Sequence, residues 1–600
     1  MRKNIVALLG LGLLSTSMLT GCAQDNTPAV TPVAPISDAV AVAITDDMPA
    51  KHADIIVIGA GGAGMSAAVQ AYQAGASNIV VIEKMPMTGG NTVRATGGMN
   101  AAGTPYQEEG DDNADLMFED TMRGGGYLND EALVRIMADE SAAAVAWLND
   151  LGAGITRVGR AGGASAARAH GPADGAAVGP AVTLTLTQEL RDLGIPVMLN
   201  TTVTEILLTD GSVSGVVARQ GDQYIVVNAP AVVLAAGGFG ANSDMLVAND
   251  PDLEGFGTTN HSGATGSGIM VAYNIGADLV HMYHIQTHPT VHPTTSIMYT
   301  EAMRGEGAIL VNLEGERFVN ELGTRDMVSE ATLSQTENVS LLLFDSRIRG
   351  NLAVIESYVN AGIIYYGNSP EALAEALGID PAALAATIAN YNAIVDAGVD
   401  NEFGRTASMH RLEGPYFYAG FNAPAVHHTM GGVRINTYTE VLDTDGYVIP
   451  GLFAAGEVVG GIHGNNRLGG SAVADIVVFG RIAGENAVAY VQETTGFTER
   501  TIVIEVAEHV IGAQGDFTDG VFEGSAFVFG GNLTVQVTVE GGNVVSIELI
   551  NHNETPGFYN SALDSVRAGV IGNQTLDIDI AAGATVTGTA LLEALAEALQ

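Results

Sequence analysis

The sequence predicts an α/β fold, and three observations carry that prediction. Asp54-Ile-Ile-Val-Ile58 is a short, almost wholly apolar, β-branched run of the kind that fills the centre of a parallel sheet. It ends at Gly59 and passes into an alanine-rich helical stretch, and strands and helices go on alternating to about residue 240. A second glycine-rich segment, Leu452-Phe-Ala-Ala-Gly-Glu457 through Gly484, resumes the same style. The 76 glycines suit turns and close backbone approaches, being too many for a helical bundle and lacking collagen's period of three.

Taken in order, the chain begins with Arg2 and Lys3, the apolar run of residues 5–14, and then Leu19-Thr20-Gly21-Cys22. The run is too short to span a bilayer but matches a secretory core, and Leu-Thr-Gly-Cys looks like a bacterial lipobox. Residues 1–21 are therefore expected to be a lipoprotein signal peptide. Cys22 would carry the lipid of an exported protein anchored at a periplasmic or cell-surface membrane face. Residues 22–51 hold Pro28, Pro32, Pro35 and Pro49 without periodicity and read as an extended tether. Strands are expected at 54–58, 79–82 and 231–235, with a helix over 65–74. A helical stretch over 371–397, with Pro381 near a helix start, marks an inserted region. Residues 532–540 and 543–550 alternate like a hairpin about Gly541-Gly542, and a terminal helix follows Thr589.

Six hundred residues, 47% apolar and 15% charged, exceed one core and suggest three or four folded units. The formal charge of −43, from 24 bases and 67 acids, argues against nucleic-acid partners. It also means that any anionic ligand needs a local cluster of Arg and His. A single cysteine excludes a disulfide framework, a Cys-ligated iron–sulfur cluster and a CxxCH haem site, and no metal site is expected.

Gly59-Ala-Gly61-Gly-Ala-Gly64 follows a strand and opens a helix, and Glu83 closes the next strand about 20 residues on. The glycines allow a tight turn and bring backbone amides close to a pyrophosphate, while Glu83 can accept ribose hydroxyls. This is a dinucleotide site. Beyond it come Gly89-Gly90-Asn91-Thr92, Gly97-Gly98-Met99-Asn100, Ala235-Ala-Gly-Gly-Phe239 and Ala454-Ala-Gly-Glu457. At these motifs the chain resembles the soluble fumarate reductase and flavocytochrome c flavoproteins, within the succinate dehydrogenase flavoprotein superfamily, from about residue 52 to 490.

The resemblance implies a Rossmann-like FAD-binding domain over 52–282 and 429–492, with an inserted α+β capping domain over 283–428. It puts FAD against Ala63, Glu83, Asn91, Thr92, Gly97, His428, Glu457, Ala472 and Val473, with Gly90 and Gly98 in the same loops. Membrane-bound relatives carry a flavin-linking His where this chain has Asn91, so FAD is expected to be noncovalent. Ser267 stands where soluble relatives have Asp.

Five further motifs carry the chemistry: Thr287-His288-Pro289-Thr290, Thr300-Glu301-Ala-Met-Arg304, Thr324-Arg325-Asp326, His427-His428-Thr-Met-Gly-Gly432 and Asn466-Arg467-Leu-Gly-Gly470. By resemblance, His427 and Arg467 hold one carboxylate of a dicarboxylate such as fumarate, with Gly470 nearby, and His288 and Thr300 hold the other. Hydride from FAD and a proton from Arg325 then reduce the double bond, and Glu301 and Arg304 recharge Arg325. Met298 matches the fumarate reducers. Other enoates (urocanate, methacrylate, an aryl acrylate) and a bare flavin electron shuttle are the alternatives.

Near the end, Asp579-Ile-Ala-Ala582-Gly-Ala-Thr585 resembles the motif by which a flavin transferase links FMN to a threonine. Asp519-Gly520, the hairpin and His552-Asn-Glu-Thr-Pro-Gly557 support a small α+β FMN-binding domain over 515–600, after a linker over 493–514. Covalent FMN on Thr585 would take electrons from a membrane or extracellular donor and pass them to FAD.

Overall fold

The computed structural model describes residues 48–499 except 109, 111, 162 and 353, residues 518–551 except 529 and 530, and residues 563, 566, 567, 570, 571, 591, 594, 595, 598 and 599. Cys22, Thr585 and residues 552–557 lie outside the described residues.

A six-stranded sheet forms the centre, in the order Glu440–Leu442, Val448–Ala454, Ala231–Leu234, Ile55–Ile58, Ile79–Ile82, Val197–Met198. It is parallel except at the Glu440–Leu442 edge. Every residue of Ile55–Ile58, Ile79–Ile82 and Ala231–Leu234 is buried. Both faces are covered, so these strands read as unbroken apolar runs rather than alternating ones. The helix Gly62–Gln73 packs against the 24-residue helix Ser471–Thr494, and small residues set their approach. A Cβ at Gly484 would come within 2.3 Å of the Ala67 carbonyl oxygen.

Ala50–His52, whose first two residues were read from sequence as the end of the tether, is a strand paired parallel with Gln223–Asn228 in a second, four-stranded sheet. The last residues of that stretch therefore belong to the folded body.

The cap is built on the 13-residue strand Phe417–Thr429. Its first half lies between Ser340–Asp345 and Tyr365–Gly367, and its second half pairs with Ile285–Val291. The helical stretch expected over 371–397 is two helices, Pro370–Leu377 and Pro381–Ala397. Gly378, at φ +76°, ends the first, and Asp380 caps the second through the amides of Ala382 and Ala383.

The C-terminal unit is an antiparallel meander of Gly520–Val528, Gly531–Glu540 and Asn543–Asn551 around its own apolar cluster. Gly541 and Gly542, at φ +59° and +75°, make the two-residue turn that the hairpin expectation required. The first of these strands was not foreseen. Among the described residues no helix is long and apolar enough to cross a membrane, and no group of His, Cys, Asp and Glu could hold a metal ion.

Candidate active site

The nucleotide loop follows from the strand it ends. Gly59 sits at φ +104°, and a Cβ there would lie 2.4 Å from the Ala235 carbonyl oxygen; one at Gly64 would lie 1.9 Å from the Gly59 oxygen. Any side chain at these positions would push the loop off the helix start. Gly61 caps that helix without a side-chain hydrogen bond, leaving an open N-terminus suited to a pyrophosphate. Glu83 accepts the amides of Ala60 at 2.7 Å and Met85 at 2.8 Å, which uses two of its acceptor positions and leaves others for hydroxyls. Burial raises its pKa, against those hydrogen bonds. Beside it Lys84 donates to Thr265 (2.9 Å) and to Ser267 (3.1 Å), so Ser267 is a partner of this lysine.

A cavity of about 560 Å³ opens beyond the loop. One wall holds Asn91, Thr92, Gly97, Gly98, Glu457, Ala472 and Val473; the other holds His288, Met298, Glu301, Arg304 and Arg325, with His427, His428, Arg467 and Gly470 between them. Ala472 and Val473 lie in the first turn of Ser471–Thr494, whose cap, Gly470, offers no side-chain acceptor. That N-terminus favours negative charge in the cavity. Asn91 is fully engaged, donating to Asn260 and, at 3.5 Å, to Glu457, and accepting the His261 amide at 3.0 Å. The Cβ-free cradle, the open helix ends and the cavity joined to them fit FAD.

Gly61 and Gly90 lie on the loops, and Ala63 and Gly64 in the first turn of Gly62–Gln73, beside this cavity rather than on its wall, and Gly59 and Glu83 wall a smaller one of about 30 Å³. Thr300 walls neither. It is buried, its amide donates to the Tyr358 hydroxyl at 3.0 Å, and its own hydroxyl accepts the Ala302 amide at 3.4 Å. Its position next to Glu301 makes it part of the turn that carries Glu301 and Arg304.

Adjacent residues of a strand point to opposite faces, and the end of Phe417–Thr429 uses this. His427 turns to Thr259, whose hydroxyl lies 2.7 Å from Nδ1, and to the His288 ring 5.2 Å away. His428 turns to Glu457, 3.5 Å from Nδ1, and to the His463 ring. Burial, and then the neighbouring arginines, push all three imidazoles of His288, His427 and His428 far below their ordinary pKa. They are neutral. His288 Nδ1 accepts the Thr290 amide at 3.3 Å, so Nε2 bears the proton, buried and without a partner among the described residues.

Glu301 bridges two arginines. Arg325 donates to Oε2 at 2.6 Å and Arg304 to Oε1 at 3.3 Å. Burial would raise this carboxyl, but Arg325 and Arg304 outweigh it and hold the pKa at about 2. Among the described residues Arg467 has no carboxylate within ion-pairing distance; its side chain donates at 3.3 Å to the Leu468 carbonyl, and its Nε is buried without a partner there. Burial, then repulsion from Arg325, lowers it to about 9. Of the three arginines here, Arg304 and Arg325 reach a carboxylate within 4 Å and Arg467 does not, though Glu457 and Asp475 line the same cavity and act on it from further off.

Gln286 was not singled out from sequence. It accepts Arg325 at 3.1 Å and donates to the Arg467 carbonyl at 2.8 Å, tying the two arginines together. Its signal was its place two residues before His288 on one strand. Thr259 and Asn260 were likewise missed.

A buried dinucleotide cradle joined to a charged cavity defines an FAD-dependent oxidoreductase. Family models match an FAD binding domain over residues 54–473 and an FMN-binding domain over 529–600. The chain is 46% identical over 447 residues to an NADH:fumarate oxidoreductase of Klebsiella pneumoniae (strain 342), covering 74% of this chain and 48% of that protein. It is 46% identical over 446 residues to a fumarate reductase (cytochrome) of Shewanella frigidimarina, covering 74% and 78%. The open conformation of a flavocytochrome c3 fumarate reductase superposes with a TM-score of 0.65 at 41% identity, over 74% of this chain and 79% of that one. The chain belongs to the soluble fumarate reductase and flavocytochrome c family of flavoproteins, with an FMN-binding domain added.

Proposed function

We propose that the protein reduces the double bond of a small dicarboxylate, fumarate to succinate. One observation carries the reading: Arg467 is buried on the cavity wall beside His427 with no carboxylate within 4 Å among the described residues, a cost that an anionic ligand offsets and a neutral one does not. His427 and Arg467 take one carboxylate beside Gly470. His288, through its unpartnered Nε2–H, takes the other, with Met298 closing that end.

FAD, when bound, supplies the hydride equivalent. Arg325 supplies the proton to the other alkene carbon, which leaves a neutral guanidine beside Glu301. The chain Glu301 to Arg304 then returns a proton to it, and the strong basicity of the carbanion-like intermediate makes an arginine a workable acid. Clamping both carboxylates strains the alkene and concentrates charge at the reacting carbon. Asn91, with every polar atom engaged and no nucleophile, supports a noncovalent FAD. Electrons would arrive through FMN joined by its phosphate to the Thr585 hydroxyl by a flavin transferase, on a protein anchored by Cys22 and served by a membrane or extracellular donor.

The test is the purified enzyme with reduced viologen and a panel of fumarate, urocanate, methacrylate and an aryl acrylate. Fumarate should lead in kcat/KM by about a hundredfold, since a single carboxylate leaves Arg467 or His288 unpaired. A monocarboxylate reduced as well as fumarate overturns the reading.

A further inference from the structure

The chain carries 67 acids against 24 bases, so a dianion approaching its surface is repelled almost everywhere. The arginines are also largely consumed: eleven of them hold a carboxylate within 4 Å. Two exceptions stand together. Arg157, on the strand Ile155–Gly159, and Arg160, just after it, are exposed, have no hydrogen bond or ion pair with any described residue, and wall the same cavity as Arg467 and His288.

Their place is held by the structure around them. A methyl group on Gly469 would meet the Glu301 carboxylate at 3.1 Å, the Ala161 side chain at 3.2 Å and Arg325 at 3.6 Å, so Ala161, next to Arg160, roofs the reacting centre. The far end of that loop is fastened by buried Asp120, which accepts the Ser165 amide at 2.8 Å and its hydroxyl at 2.6 Å and pairs with buried Arg168 at 3.0 Å. The acids on the cap wall are already committed, Glu301 to Arg325, Glu306 to Arg347 and Glu321 to Arg317. None of them pairs with Arg157 or Arg160.

We propose that Arg157 and Arg160 form an outer capture site, distinct from the inner clamp, that draws the dicarboxylate through the acid-rich surroundings and hands it to Arg467 and His288. The proposal rests on the dicarboxylate reading above. At physiological salt, charges more than about 8 Å from the path are screened, so two fixed cations at the mouth outweigh many distant acids. Steering of this kind acts on association, changing rates by roughly 10- to 1,000-fold, and fades with ionic strength.

The experiment compares full-length, FAD-loaded wild type with the R157Q/R160Q double variant, using reduced viologen and fumarate from about 10 to 500 mM ionic strength. Both residues are exposed and have no partner among the described residues, so FAD content and melting temperature should match wild type. Wild-type kcat/KM should fall about tenfold or more across the range. The variant should start near the wild-type high-salt value and stay flat, the two curves converging. A variant that keeps the wild-type salt slope overturns the site, as does a loss confined to kcat.

A defect seen only in FMN-to-FAD electron transfer, with unchanged viologen kinetics, would assign the patch to docking the C-terminal unit and overturn the proposal. That unit bears Asp519, Glu523, Glu540 and Glu548 and no Lys or Arg over residues 518–551. Stopped-flow association of succinate, followed by FAD absorbance, separates this inference from the one it rests on. A wild type that fails to reduce fumarate but binds succinate with a salt-dependent rate lost in the variant sinks the reaction and keeps the capture site. A wild type that binds neither dianion sinks both.

Discussion

Two buried clusters of arginine and carboxylate meet at Arg304 and follow opposite rules. Around Glu321, Arg317 donates at 2.7 and 2.9 Å, Arg405 donates at 3.0 Å, and Asp400 takes Arg317 at 2.8 Å. Two cations meet two anions, and Arg405 gives its remaining N–H groups to the carbonyls of Arg304, Ala308, Ala407 and Ser408. Around Glu301, two cations share one carboxylate, and the third, Arg467, has none within 4 Å among the described residues. The closed cluster has no use for a ligand. The open one is incomplete without an anion, and that deficit separates a site from a brace where burial and residue types are alike.

Arg325→Ala breaks the comparison hardest. It should keep FAD and near-wild-type stability while fumarate reduction falls by roughly 10³-fold or more, about 4 kcal/mol of barrier, in a viologen assay. Retention of most activity would refute Arg325 as the acid. Arg405→Met attacks the closed cluster and should instead cost about 3–5 kcal/mol of stability, seen as a lower urea midpoint, because Glu321 loses a buried partner. Its kcat per bound FAD should change by less than about threefold. A variant as stable as wild type would mean that the cluster braces nothing.

Arg467→Met sharpens the contrast. Removing an unpaired buried cation should leave the dianion-free protein as stable as wild type or more so. Succinate at 100 times its Kd should add about 2.7 kcal/mol to wild type and nothing to the variant. Calorimetry with and without succinate reads both, and equal stabilisation of the two proteins would remove Arg467 from the clamp. Thr585→Val should have the smallest effect: no FMN-sized adduct on the C-terminal peptide by mass spectrometry, and viologen-driven turnover within about twofold of wild type. Equal loss of both would make the C-terminal unit a support for the FAD site.

The parts that were legible in the sequence are those where chemistry is local. Ile55–Ile58, Gly59, Gly61, Gly64 and Glu83 lie within thirty residues and declare a nucleotide crevice by spacing alone. His288, Glu301, Arg325, His427 and Arg467 became readable through motifs of a known family, and the fold does bring them to one cavity. What stayed hidden depends on distant pairing. Gln286 means nothing until Arg325 and Arg467 arrive beside it, and Glu321 joins Arg405 across 84 residues. Gly520–Val528 was missed because its glycines blur the alternation, whereas Pro381 marked the second helix start and only the turn at Gly378 stayed inside one stretch.

The strand order has a consequence for biosynthesis. Ala231–Leu234 sits between Ile55–Ile58, made long before it, and Val448–Ala454, made after the entire cap. At about 5–20 residues per second, tens of seconds separate the ribosome's release of one neighbour from that of the other. During that interval Ala231–Leu234 presents a bare apolar edge, and the FAD crevice lacks the helix Ser471–Thr494 that covers it. The cap, contiguous in the chain, can collapse first around its own core. A nascent or truncated chain ending before residue 448 would thus hold a folded cap on an unfinished, sticky sheet, a state for chaperones to hold until the last strand closes it.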